Sequence, residues 1–249
     1  MTDKTFKGAR LKIDRANRHI HELIHIITRF LDTDFCRLVT EPEEGNTGRN
    51  RLKVVASADY PPHIPLIVGD AIHNLRSALD HVVVQITGID ADFMGLPTGK
   101  KRYDIESKST SYKTIKQTAP PFAQFILDEI QPYSGGKFKI WELGKLDIID
   151  KHKLIIPTIN ISSLMNFEVE YERGIRFTNA MAEVGAGGVV NIAIAPGAIK
   201  IHNHGKPAVN IRFGPGTPFE NQAVLETIAN LAELTSQAIQ ALETFYYGN

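Results

Sequence analysis

Between residues 66 and 87 the chain carries Asp70, His73, Asn74, Arg76, Ser77, Asp80, His81 and Gln85, a set rich in groups that move protons or hold anions. Imidazoles exchange protons near neutral pH, and a guanidinium matches a phosphate with paired donors. A merely solvated helix face tends to use Lys and Glu; these types favour defined hydrogen bonds. At roughly 100° per residue, Asp70, Asn74, Ser77 and His81 form one axial row, with His73, Arg76 and Asp80 beside it. Two readings stay open. The flank is a polar network joining this helix to its neighbours, with Asp80 orienting Arg76 one turn away, or it is a site that works on a ligand. His19, and the run Asp150-Lys151-His152-Lys153, are further candidates for contributing to such a site.

These residues need a helix under them, and the apolar pattern supplies it. Ala71, Ile72, Leu75, Ala78, Leu79, Val82, Val83 and Ile86 share the opposite side, so a helix is predicted over 66–87, ended by Gly88. Ahead of it, residues 60–65 hold three prolines and are predicted extended. A first amphipathic helix is expected over 9–35, on the stripe Ile13, Ala16, Ile20, Leu23, Ile24, Ile27, Phe30 and Leu31. Residues 36–60 read as a hairpin turning near Gly45-Asn46. Residues 90–118 read as mixed, basic loop; 120–130 as a short helix; 131–136 as a turn; 141–150 as another helix. Past Pro157, strands are expected over 167–171, 189–194, 198–202 and 209–213, then a closing helix over 219–246. The expected class is α+β: an N-terminal helical part with a hairpin over 1–155, then over 156–249 a small antiparallel sheet packed by the long C-terminal helix.

With those elements placed, two resemblances can be stated. The segment Gly69-Asp70-Ala71-Ile72-His73-Asn74-Leu75-Arg76-Ser77-Ala78-Leu79-Asp80-His81 resembles the signature of a widespread family of uncharacterised bacterial proteins. Arg15-Ala16 with His19-Ile20, Gln131-Pro132-Tyr133, and Trp141-Glu142-Leu143 leading to Asp150-Lys151-His152-Lys153 resemble it too. The resemblance implies that these segments belong together and converge in space. Separately, Arg76, four intervening residues and His81 are similar to the motif of HEPN-type ribonucleases, helical bundles that act as dimers. That likeness implies a histidine acting as acid or base on the 2′-hydroxyl or leaving oxygen, and an arginine stabilising phosphate charge. The spacing turns a helix by roughly 140°, so a shared site requires the arginine to wrap around or a second copy across a two-fold axis. Ser77 stands where those enzymes usually carry a larger polar group.

Other patterns carry less. His21-Glu22-Leu23-Ile24-His25 spells a zinc-peptidase motif, but it lies in a charged arc with Arg18 and Arg29, and Thr28 and Leu31 replace the metzincin continuation. His202 and His204 alternate on a strand, too few for a metal site. Gly185-Ala186-Gly187-Gly188 lies between strands and makes no phosphate loop. No metal or cofactor is expected.

Composition bounds the rest. The chain has 249 residues, 28 basic and 28 acidic, so long nucleic acid would have to be met by local patches. Two exist: Lys4 to Arg18, and Lys100, Lys101, Arg102, Lys108, Lys113 and Lys116. The single cysteine, Cys36, excludes an internal disulfide and favours a reducing compartment. Neither a signal-peptide pattern nor a membrane-length apolar run is seen, so a cytoplasmic protein is expected. The leading functional expectation is a metal-independent phosphodiesterase acting on RNA or nucleotides, as a homodimer, with His81, Arg76, His73 and Asp80 catalytic. Asn74, Asp70, His19, Asp150, Lys151 and His152 would support binding. The alternative is a non-enzymatic binding or assembly module in which the polar flank is structural.

Overall fold

The computed structural model describes residues 6–45, 48–56, 61–155, 157–185 and 188–248. Lys4, Asn46, residues 57–60 at the end of the expected hairpin, and Ala186-Gly187 lie outside the described residues. The architecture is α+β, with an N-terminal helical part holding a hairpin, small antiparallel sheets and a long C-terminal helix. Two compact units divide the chain, and both are discontinuous. One takes in residues up to His25, Pro62–Pro157 and Phe213 onward; the other takes in Ile26–Pro61 and Thr158–Arg212. The C-terminal helix therefore belongs to the first unit, and the hairpin to the second.

Helices α1 (Lys7–Leu31) and α2 (His63–Thr87) are each 25 residues long; α2 and the part of α1 up to His25 belong to the first unit. The stripe expected on α1 is buried at Ala16, Ile20, Leu23, Ile27 and Phe30, while Ile24 is exposed. Helix α1 ends at Leu31, short of the expected Phe35. Helix α2 starts three residues earlier than its prolines suggested: Pro62 is the cap, and Pro65 sits in the first turn. Its missing N–H costs nothing there, because first-turn donors have no intrahelical acceptor. The predicted extended segment thus gives way to helix from His63. Gly88 closes α2 at φ 67°, donating to Val84 O, as its residue type requires.

Residues 90–118, expected as loop, contain α3 (Arg102–Lys108) and α4 (Thr110–Thr118). Ser109 breaks the two apart and caps α4 by accepting from Tyr112 N. The Ser and Thr content that argued against helix is capping chemistry, while Ile105, Tyr112 and Ile115 face inward. Helix α5 (Pro120–Phe125) runs into a π-helical turn over Ile126–Ile130, followed by α6 (Ile140–His152). Helix α7 (Val224–Gly248) packs on α2, burying Val224, Ile228, Leu231, Ala238 and Leu242.

In the second unit, β1 (Cys36–Pro42) pairs antiparallel with β2 (Arg49–Ala56) from Cys36↔Ala56 to Pro42↔Asn50. Later come β3 (Pro157–Tyr171), β4 (Arg176–Glu183), β5 (Val189–Pro196), β6 (Ile199–Asn203) and β7 (Lys206–Phe213). Strand β5 joins β2, giving the order β1-β2-β5; β4-β3-β6 forms the other sheet, with β7 also on β3. Leu38, Leu52, Val54, Leu164, Phe167, Val169, Ala182, Val190 and Ile199 make the core between them. Strand β3 begins ten residues before the expected strand, because only its last stretch shows clean alternation. Strand β4, not anticipated, is almost wholly exposed.

Candidate functional site

Helix α2 sits on α6 and α7, and its polar flank divides into three groups of contacts. The first centres on His73. Its Nδ1 lies 3.0 Å from Asp147 Oδ1, and Lys151 Nζ donates to Asp147 Oδ2 at 2.6 Å. Asp147 and Lys151 stand one turn apart on α6, so a single helix presents an acceptor and a cation together. With Asp147 accepting on both oxygens, a neutral imidazole here carries its proton on Nδ1 and leaves Nε2 as a hydrogen-bond acceptor. Ser77 Oγ lies 3.4 Å from Nε2. The Asp147 side chain is only 7% exposed, whereas His73 is 50% and Lys151 53% exposed. A buried carboxylate thus orients two groups that solvent reaches.

The second group closes on backbone. Arg76 Nη2 donates to Leu96 O at 2.6 Å and lies 2.9 Å from Asp80 Oδ1. Asp80 Oδ1 accepts from Leu96 N at 2.8 Å. The pair clamps both polar atoms of one loop residue. Gly95 makes room: an added Cβ would stand 2.4 Å from Asp80 Oδ1. On the other side, Ser111 Oγ donates to Gly95 O at 2.5 Å, tying α4 to the same loop. Burial pushes the Asp80 carboxyl above the usual range, against the pull of Arg76 and the Leu96 N–H.

A third arrangement holds α6 and α1 close. Gly69 faces Asp150 of α6, where a Cβ would meet Oδ2 at 2.2 Å. Burial raises the Asp150 carboxyl, opposed by the Ile155 N–H; Asp147 and Asp70 add to the rise and His73 lowers it. Asp150 Oδ1 is buried without a hydrogen bond. His81, exposed, packs its ring on Gly8 of α1, with Nδ1 3.3 Å from where a Cβ would stand. Nearby, Phe6 N donates to Gln85 Oε1 at 2.8 Å.

The expected residues are therefore sorted. His73 and Lys151 come together, through Asp147, and Asp70 and Asp150 lie close enough to share their field. Arg76 and Asp80 turn to the loop, and His81 turns to α1. Asn74 Nδ2 donates to Asp70 O in its own helix at 2.8 Å. His19 is buried; its Nδ1 lies 3.7 Å from Glu22 and makes no hydrogen bond. His152, the last residue of α6, is exposed.

Asp147 was absent from the expected set. Its signal was its spacing, four residues before Lys151 and three before Asp150, on a helix already read as polar at its end. Glu142, also unexpected, is buried and accepts from Gly135 N at 2.9 Å, fastening the 131–136 turn to α6. In the second unit, His202 Nε2 lies 2.9 Å from Glu170, and His204 Nδ1 accepts from Leu38 N at 3.1 Å. Both are spoken for by their own unit. His21, Glu22 and His25 are exposed on α1, and among the described residues no three His, Cys, Asp or Glu side chains group to hold a metal ion. No helix is long and apolar enough to cross a membrane among the described residues. Compared with protein-family models, curated proteins and solved structures, the chain matches none.

Proposed function

We propose that the protein is a phosphodiesterase acting on RNA or nucleotides, with His73 as its proton-transfer group. The observation that carries this reading is the exposed His73 imidazole backed by buried Asp147, with the Lys151 ammonium on the same carboxylate. Nε2 takes the proton of a 2′-hydroxyl approaching from the side where Ser77 Oγ now stands. The O2′–P bond forms, the P–O5′ bond breaks, and water supplies the proton to the departing oxygen. Asp147 stabilises the imidazolium so formed, and Lys151 offsets charge gathering on the phosphate. None of these steps requires a metal. The HEPN-like pair enters differently. Arg76 is held by the loop in every copy of the chain, so His81 would work with an Arg76, its own or a second copy's, only once that clamp opens.

A second reading has its own observation. The Arg76–Asp80–Leu96 clamp is a structural network, and if the whole flank serves that end the protein is a non-enzymatic binding or assembly module. Purified protein incubated with total RNA, with and without chelator, separates the two. Cleavage that disappears in His73→Ala while the melting temperature stays put supports the enzyme. No cleavage by the native chain supports the module. Cleavage lost in His81→Ala but kept in His73→Ala would move the site to the HEPN-like pair.

A further inference from the structure

The segment from Lys100 to Thr118 holds six cations and two carboxylates in a chain of zero net charge. Both carboxylates are occupied within the segment: Asp104 by Lys108 at 2.7 Å, Glu106 by Arg102 at 3.6 Å. Arg102 is further matched by Asp128 at 2.6 Å. The ammonium groups of Lys100, Lys101, Lys113 and Lys116 stand within 4 Å of no carboxylate among the described residues, and all four residues are exposed. Lys113 and Lys116 share the outward side of α4, because Tyr112 and Ile115 take the inward one. In the same segment, on α3, Tyr103 is 69% exposed. A tyrosine ring with this much of its surface in water is able to stack against an unpaired base.

The platform is also firmly held. The loop before it is gripped from α2 by Arg76 and Asp80 and from α4 by Ser111. Ser134 N donates to Lys100 O, and Gly99 bridges Tyr133, so the turn after the π-helical segment braces its start. The clamp on helix α2 thereby fixes the loop that leads into this segment to the helix that carries His73.

We propose that Tyr103 with Lys100, Lys101, Lys113 and Lys116 forms a binding platform for single-stranded RNA. It names the substrate class of the His73 site and rests on that reading. Phosphates are met by the lysines and an unpaired base stacks on Tyr103; a duplex keeps its bases stacked inside and offers none to the ring.

The test uses the full chain and a fluorescent single-stranded 2′-O-methyl RNA, which binds but cannot be cut through its 2′-oxygen. Anisotropy titrations of the native protein should show log affinity falling against log salt with a slope of about −3, from four phosphate contacts at roughly −0.7 each. Replacing the four lysines by Gln should flatten that slope and weaken binding by two to three orders of magnitude at about 0.1 M salt. Tyr103→Ala should weaken binding roughly tenfold and leave the slope alone. Native affinity in both variants, or no binding by the native chain, overturns the platform. Cleavage of unmodified RNA that persists in both variants with native binding discards the platform and keeps His73. Binding lost in the variants, with no cleavage by the native chain, does the reverse.

Discussion

His73 and Arg76 stand three residues apart on one helix, yet they sit in opposite kinds of surroundings. Arg76 is 16% exposed and spends Nη2 on a backbone carbonyl and a carboxylate one turn away, while its Nη1 is buried without a hydrogen bond. His73 is half in water and is held by a side chain from another helix. A polar group satisfied by backbone is part of the architecture, since moving it means moving the chain. One satisfied by a buried carboxylate, with half of its side chain in water, keeps a face for chemistry. Residue type does not separate the two cases; the identity of the partner does.

Substitutions can break that contrast, and the largest effect should fall on activity. His73→Ala is expected to lower RNA cleavage by about 10²–10⁴-fold, with Asp147→Asn following in the same direction. Melting curves for both should stay close to native, and a large drop would place His73 with Arg76. Next comes stability. Arg76→Ala strips the clamp and leaves Asp80 with only the Leu96 N–H, a loss of about 2 kcal/mol. For a chain this long that lowers the melting temperature by roughly 4–8 °C, and an unchanged midpoint would refute the architectural role.

A smaller effect tests the glycine beneath Asp150. Ala ordinarily stabilises a helix interior over Gly by about 0.5–1 kcal/mol. At Gly69 its Cβ would stand 2.2 Å from Asp150 Oδ2, so Gly69→Ala should instead destabilise, by about 1–2 kcal/mol once the carboxyl is displaced. Adding Asp150→Ala should recover most of the loss, and strict additivity in that double-mutant cycle would show that the two positions do not touch.

The mildest prediction concerns pH. Burial lifts the folded-state carboxyl of Asp150 above its unfolded value, so the folded chain holds that proton longer. Below about pH 4 both states are protonated and no penalty exists. As pH rises through the lifted value, the unfolded state ionises first and stability declines. Asp150→Asn should therefore gain on the native chain between pH 3 and 7. A difference in melting temperature that stays flat across that range would contradict this assignment.

Much of this was legible beforehand, for reasons that can be named. The apolar faces of α1, α2 and α7 repeat over many turns, so their existence and most of their inward residues followed from period alone, Ile24 on α1 being exposed instead. The class followed from the change of pattern beyond Pro157. Short elements were harder. The helices α3 and α4 are capped by the very Ser residues that read as loop, and Pro65 sits where a helix tolerates it. Strand β4 was missed because an exposed edge has no alternation to show. At the site, the flank of α2 was found but its division was not. Asp147 lies over seventy residues from His73, and only the packing of α6 on α2 brings them within 3.0 Å.

From its residues alone this chain determined which helix carries polar chemistry, because hydrophobic burial consigns one face inward and leaves the other to hydrogen bonding. Which of those polar groups are locked and which stay open was decided by tertiary structure. Hydrogen-bond partners are short-ranged and directional, so the loop at Leu96, the glycines at 8, 69 and 95, and the carboxylate of Asp147 act only once folding has carried them to α2.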